Sequence, residues 1–357
     1  MTWYWWIVLV SFLSPGIEAL MLATGEWWYH ARFRRNRERF SEMIIQITTT
    51  GREVVRVNEI IWEIHSHDLS MPYQVWVVNE PGLDDTYPGA DRVITVDPEF
   101  TSQAEYKARA LEYSRLIRLQ EGYARDDVKI LFVDDDTSPT FEYIETAFVG
   151  DYDLCQGVTA PRIKYGEGPF RHFLLSHMDD MRFLACFVFC SFFQGVVGKP
   201  LYVHGEGLCV TGAAESVATW NYPIFASEDL VFGHNAAFKG LTEDLVFGAN
   251  ASTRGLTWGF FHEYIQLTSP WTWGAYLKQR RRWLWGNIHA MTHRRVLPTW
   301  SAFLVGAKYA TGFLTYGTSS VAAVLIFGGI VRPPAIVYTW CYASLFASRP
   351  RQSSGMS

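Results

Sequence analysis

Three aspartates in a row, Asp134-Asp135-Asp136, follow directly on the apolar run Val128–Val133 (VKILFV). Adjacent carboxylates repel one another unless a cation or a run of amides neutralises them. A hard divalent cation such as Mg²⁺ or Mn²⁺ takes one or two such carboxylates and completes its shell with phosphate oxygens. The triplet equally suits a solvated turn that caps a helix, because Thr137-Ser138-Pro139 comes next. A second group is cationic, Lys278-Gln279-Arg280-Arg281-Arg282-Trp283. Arginine forks match phosphate geometry, and an indole ring stacks on the apolar face of a sugar. The same run also suits contact with anionic lipid beside a membrane.

A third group is written twice. Residues 227–241 (SEDLVFGHNAAFKGL) and 242–256 (TEDLVFGANASTRGL) agree at ten of fifteen positions. Each copy opens on Glu-Asp at the start of a helical phrase. Acids there complement the helix dipole and cap its N-terminus, or one of them serves as general base for a hydroxyl nucleophile. Asp229 and Asp244 compete for that role. The acids belong at the helix end facing the substrate. If the first copy docks, the extra segment leaves from the far end of the helix. If the second docks, about 22 Å of added helix must leave and return at the cleft mouth. The first copy also carries Phe238 where the second has Thr253, so its face buries better. This favours Asp229 over Asp244.

The elements that must hold these groups alternate along the chain. Met43–Thr48, Tyr73–Val78, Arg92–Val96 and Val128–Val133 read as strands, the first and last as continuous apolar runs. Val54, Val55, Val57, Ile60, Ile61 and Ile64 recur at helical spacing, and Ala104 to Leu119 forms a helix with apolar and charged faces. Strands alternating with helices predict an α/β fold, a mostly parallel sheet with helices on both sides. Ligands of such sheets bind at the carboxyl ends of the strands, where the aspartate triplet falls.

The order of a strand-end acid triplet, a Glu-Asp pair and a Gln-x-x-Arg-Trp run resembles the family 2 glycosyltransferases, which have the GT-A fold. Tyr106–Tyr113 (YKARALEY), Val133–Thr137, Asp179-Asp180-Met181 and Lys199-Pro200 are similar to the egghead-type β-1,4-mannosyltransferases. Those enzymes transfer mannose from GDP-mannose to a glucosyl lipid. The likeness spans roughly Ile44 to Asn287. It implies a nucleotide loop at Thr48–Arg52, including Thr50, and Glu80 near the base or ribose. It implies that Lys107, Asp135 and Gln279 contact the nucleotide sugar. Asp134 and Asp136 would be the metal acids, with Asp136 on a Mg²⁺ or Mn²⁺ ion. Arg282 would hold the diphosphate, Trp283 the acceptor sugar, and His204 and Glu206 an acceptor wall. The implied reaction is inverting hexosyl transfer, mannosyl from GDP-mannose, to a lipid-linked acceptor. The alternatives are a processive β-polysaccharide synthase using a UDP-sugar, and an inactive membrane scaffold whose duplicated segment has displaced the base.

The ends of the 357-residue chain are apolar and tryptophan-rich. Trp3 to Thr24 is long enough to span a bilayer, with Trp27 and Trp28 at its far interface. Residues 1–28 are expected to be a transmembrane anchor, 40–295 the catalytic domain and 298–348 a set of C-terminal membrane helices. Arg32, Arg34, Arg35, Arg37 and Arg39 place the domain on the cytoplasmic side by the positive-inside rule. The net charge of −5 gives no reason to expect nucleic-acid binding. The five cysteines (Cys155, Cys186, Cys190, Cys209, Cys341) are scattered, with no CxxC pair and no histidine at zinc-finger spacing. That pattern fits a reducing compartment with cysteines as core residues, and it argues against structural zinc.

Overall fold

The computed structural model describes residues 3–80, 86–161, 183, 186–242, 256–270, 272–293, 296–297, 299 and 301–307; of these, the side chains of 3–15 and 238–242 are not described. Residues 21–306 form one compact unit. Residues 1–20 with 307–357 form a second, of which helix 3–20 and Ala307 are described.

The large unit is built on β1 (Glu42–Thr49), β2 (Tyr73–Asn79), β3 (Arg92–Thr95) and β4 (Val128–Asp134). These four strands are mutually parallel in the order β3-β2-β1-β4. Helices α2 (Val54–Ser66) and α3 (Tyr106–Gln120) cover opposite faces. Side chains alternate accordingly. Met43, Ile45 and Ile47 pack with Val57, Ile60, Ile61 and Ile64 of α2. Ile44, Trp76, Ile130 and Phe132 pack on the other face with Ala110 and Leu111 of α3. Burial on both faces is why β1 and β4 read as unbroken apolar runs.

Beyond β4 the sheet is mixed. It adds β5 (Thr137–Pro139), β6 (Leu154–Pro161), β7 (Cys209–Thr211) and β8 (Trp258–Leu267), giving the order β3-β2-β1-β4-β7-β6-β8-β5. β7 runs antiparallel to both β4 and β6, and β5 antiparallel to β8, although β6 and β8 pair in parallel. The physical cause is the return path. The segment before β7 lies alongside β4, with Gly207 N donating to Phe132 O (2.8 Å) and Phe132 N to Leu208 O (2.9 Å). A strand entered this way reverses direction without a crossover helix.

The remaining helices are α4 (Phe141–Val149), a π-helix at Cys186–Val197, α5 (Gly212–Val217), α6 (Glu228–Thr242) and α7 (Trp273–Thr292). The aspartate triplet does not cap a helix directly. β5 intervenes, and Thr140 caps α4 by accepting from Tyr143 N.

The described N-terminal helix extends past the expected anchor, residues 1–28. Helix α1 runs from Trp3 to Arg32. Trp28 and Tyr29 are partly buried. They pack on the core with Phe33, and Tyr29 donates to Glu263 (2.9 Å). The arginines after it are largely engaged by the fold. Arg39 pairs with Asp151 (2.7 Å) and Asp153 (2.8 Å), Arg34 lies over Tyr152, Arg35 over Phe33, and Arg37 donates to Ser70 O. Among the described residues no helix is long and apolar enough to cross a membrane. The C-terminal apolar segments beyond 307 lie outside the described residues, as do Arg294, Arg295, Asp179-Asp180-Met181 and the second Glu-Asp pair with Asp244.

Candidate active site

The carboxyl ends of β1 and β4 are in register, Thr48 opposite Asp134. The chain turns beyond them through Asp134-Asp135-Asp136. Thr137 Oγ1 ties this turn, accepting from Asp134 N and donating to Asp134 O (both 3.0 Å). Asp136 O accepts from Thr268 N (3.0 Å), and Thr49 Oγ1 donates to Asp135 Oδ2 (2.8 Å). Three separate elements thus fix three adjacent acids.

Lys107 reaches these acids from the first turn of α3. Its Nζ pairs with Asp134 and lies 3.8 Å from Glu228. Tyr106, just before it, has φ +51, and Ser227, just before Glu228, has φ +63. These are the two non-glycine left-handed residues among those described. Such strain persists where surrounding packing over-determines the backbone. Here it sits at both helix starts that aim charge into one cleft.

Glu228 and Asp229 form the first turn of α6. The first copy of the repeat is docked, since Leu230, Val231, Phe232, Ala236 and Ala237 are buried and Phe232 stacks on Trp220 at 3.9 Å. The loop Val203–Leu208 closes the other side. At Gly205 an added Cβ would stand 2.8 Å from Lys107 Nζ and 3.7 Å from Asp229 Oδ2, so the loop backbone runs close beside both groups. Gly207 has φ +77, and Tyr143 Oη donates to its carbonyl (2.7 Å) while accepting from Gly157 N (3.0 Å). Glu206 between them is buried at 7% exposure.

The result is a cluster of acids gathered around one lysine. Burial pushes Asp134 up to about 6 against the pull of Lys107. Burial and then Glu228 push Asp229 up to about 7. Asp136 is held well above the usual carboxylate range by burial and by Asp134. Burial opposes the charge on Lys107, but Asp134 and Glu228 outweigh it and raise its pKa. The site is short of positive charge. Hard carboxylate oxygens at a strand end are the donor set that a Mg²⁺ or Mn²⁺ ion takes, so these residues fit such an ion.

Several expected residues lie at the rim. Thr48 is buried in β1, whereas Thr50 and Arg52 are exposed beyond it, around Gly51 at φ +75. Glu80 pairs with Arg109 (3.0 Å), while its Oε1 and Asn79 Oδ1 are buried without a hydrogen-bond partner among the described residues. Burial raises the Glu80 pKa against Arg109. On α7, Gly286 packs against Ala226 and Ser227, and a Cβ there would lie 2.7 Å from Ser227 Oγ. This seats α7 against the start of α6. Arg280 is sandwiched by Tyr276 (4.7 Å) and Trp283 (4.6 Å), and Gln279 Oε1 is buried without a hydrogen-bond partner among the described residues. Arg282, one turn before Gly286, is exposed and forms no ion pair among the described residues. The helix is brought to the acids by Gly286 rather than by Arg282 itself.

Sequence reasoning missed the polar clamp behind the cleft. Gln156 of β6 donates to His204 O (2.8 Å) and accepts from His204 N (3.2 Å), and Gln194 donates to Tyr202 O (2.6 Å). A glutamine inside the apolar run of β6 was the available signal.

A covered sheet with convergent acids at its strand ends, one lysine among them and an arginine-rich helix at the rim define a GT-A-type sugar transferase. The family model for glycosyl transferase family group 2 matches residues 129–348, and the chain belongs to that family. Among solved structures it is similar to the mannosyltransferase PcManGT from Pyrobaculum calidifontis in complex with GDP-Man and Mn²⁺. That similarity has 13% identity over 96% of this chain and 92% of that one, with a TM-score of 0.55, and it shows the shared fold. Mannosyl-3-phosphoglycerate synthase from Rubrobacter xylanophilus matches at 13% identity over 75% and 82%, with a TM-score of 0.39. No curated protein sequence matches the chain.

Proposed function

We propose that the chain is an inverting, metal-dependent hexosyltransferase that moves mannose from GDP-mannose to a lipid-linked acceptor at a membrane. The observation that carries this reading is the pairing of Lys107 with Asp134 and Glu228 at the carboxyl ends of β1 and β4, with Asp136, Glu206 and Asp229 gathered beside those acids. Asp134 and Asp136 would hold the divalent ion, which when bound supplies positive charge beside a diphosphate. Lys107 orients the donor phosphates. Glu80 and Asn79 offer acceptor atoms to the N–H groups of a base or the hydroxyls of a ribose.

Asp229 takes the proton of the acceptor hydroxyl as that oxygen attacks the anomeric carbon. The bond from that carbon to the phosphate oxygen breaks, and the nucleoside diphosphate leaves with the electron pair. One displacement turns an α-linked donor into a β-linked product. Glu206, on the rigid loop opposite, positions the acceptor hydroxyls.

Two features support a membrane acceptor. Residues 7–24 carry a single charge, Glu18. On α7, Trp273, Leu277, Leu284 and Trp285 are exposed beside the exposed Lys278, Arg281 and Arg282, the composition of a helix lying in a lipid interface. The cytoplasmic side is the face where such basic residues meet anionic lipid.

The test is a donor screen with the full chain in membranes, supplied with Mn²⁺ or Mg²⁺ and GDP-mannose, UDP-glucose or other nucleotide sugars. Transfer of one sugar from GDP-mannose to extractable lipid supports the proposal. Transfer only from a UDP-sugar into a long polymer refutes it, and no turnover with any donor leaves the scaffold reading.

A further inference from the structure

Behind the acceptor wall lies a group of donors of a different kind. Cys186 and Cys190 stand four residues apart on the π-helix, and both are buried. His204 faces them from the loop that carries Glu206. One donor atom from each of the three lies within 4.8 Å of the others, and Cys190 Sγ is 3.7 Å from His204 Nε2. In a tetrahedral site with metal–sulfur bonds of about 2.3 Å and metal–nitrogen bonds of about 2.0 Å, a sulfur–nitrogen edge is about 3.6 Å. The observed separation matches that edge.

The site is also preorganised. Gln156 grips both backbone polar atoms of His204, and Gln194 donates to Tyr202 O and to Gln156 Oε1 (3.3 Å). The imidazole is therefore presented from a clamped backbone. Around the thiols lie Val158, Phe260, Phe183, Phe187 and Tyr202, an apolar wall. Two thiolates would neutralise a divalent ion inside that wall, with the two thiol protons released to solvent.

We propose that Cys186, Cys190 and His204 form a binding site for a thiophilic divalent ion of the zinc class, with a fourth tetrahedral position left for water. Sulfur and imidazole donors select such an ion over Mg²⁺ or Mn²⁺, which prefer the carboxylates of the cleft. The two sites are separate in chemistry, and this one stands whether or not the donor is GDP-mannose. The bound ion would staple the π-helix to the loop and hold Glu206 against the catalytic acids. Cysteine spacing alone argued against zinc, because the third ligand comes from outside the local motif.

The test uses the full-length protein, stripped of metal under reducing conditions and titrated with Co²⁺. The proposal expects a thiolate-to-cobalt charge-transfer band, intense visible absorption of tetrahedral cobalt, and displacement of one Co²⁺ per chain by Zn²⁺. Cys186→Ser and Cys190→Ser are expected to weaken binding by about tenfold or more, whereas Cys155→Ser keeps the band. Absence of the band from the wild-type protein overturns the proposal, and this readout holds even if the serine variants fail to fold. A band that survives in both Cys186→Ser and Cys190→Ser also overturns it.

Discussion

Replacing Asp229 by Asn removes one proton acceptor from the cleft and almost nothing else. Asparagine has the same shape, and at the first turn of α6 it still complements the helix start. A positioned general base contributes about 10²- to 10⁴-fold to a rate, or about 3–5 kcal/mol at roughly 1.4 kcal/mol per decade. The loss should fall on kcat and leave KM for the donor nearly unchanged, because the base acts in the transition state. The surroundings argue that stability will not suffer. Burial, and then Glu228, push the Asp229 pKa up to about 7 against the pull of Lys107. Neutralising it removes the cost of a buried charge and the repulsion from Glu228, which together outweigh the attraction of Lys107, so the melting temperature should hold or rise. The assay is steady-state transfer at saturating metal, with thermal unfolding measured on the same preparation. Asp244→Asn should retain near-wild-type turnover. If Asp244→Asn loses the activity and Asp229→Asn keeps it, the placement of the first copy in the cleft is not the catalytic one.

Other consequences follow from the packing. Gly207→Ala forces a side chain into φ +77 against Tyr143. The conformational cost alone is about 1–2 kcal/mol, and denaturant titration should show at least that loss together with reduced transfer. Arg118 is 2% exposed and is held by Glu215 and Gln46. Arg118→Met leaves Glu215 buried without its charge partner, with Trp220 Nε1 still donating to it (3.1 Å), and should cost about 3–5 kcal/mol in the same titration. His234 is fully buried, and burial lowers its pKa to about 4. Its unfolded value is about 6.5, so the unfolded chain binds the extra proton between those limits. Stability from this group is complete above about pH 6.5 and falls by on the order of 3 kcal/mol as pH drops toward 4. His234→Gln should flatten that part of the pH–stability curve, and an unchanged slope would contradict the assignment.

The parallel half of the fold was plain in the sequence. β1, β2 and β4 are buried runs whose observed ends lie within a residue of the expected ones, and α2 shows its inward face at helical spacing. The triplet at the end of β4 and the acids at the start of α6 followed from the same reasoning. The second half was illegible because it depends on long-range pairing. β5 and β7 are three residues each, too short to show a period. The route of Val203–Leu208 beside β4 depends on Gly207, whose necessity appears only once Tyr143 stands against it. The arginines after α1 read as a membrane signal, and the sequence does not reveal that Arg39 is an ion-pair partner of Asp151 and Asp153. Composition alone does not distinguish a basic patch facing lipid from one pinned to acids that lie over a hundred residues away.

The central claim is that Asp134 and Asp136 bind a nucleoside diphosphate through a divalent ion beside Lys107. Calorimetric titration of GDP into the full chain, with and without Mn²⁺, tests it most directly. Binding should require Mn²⁺ and should be lost in Asp136→Asn while the fold persists. Equal GDP affinity without metal, or an Asp136→Asn variant that binds Mn²⁺·GDP as the wild type does, would contradict it.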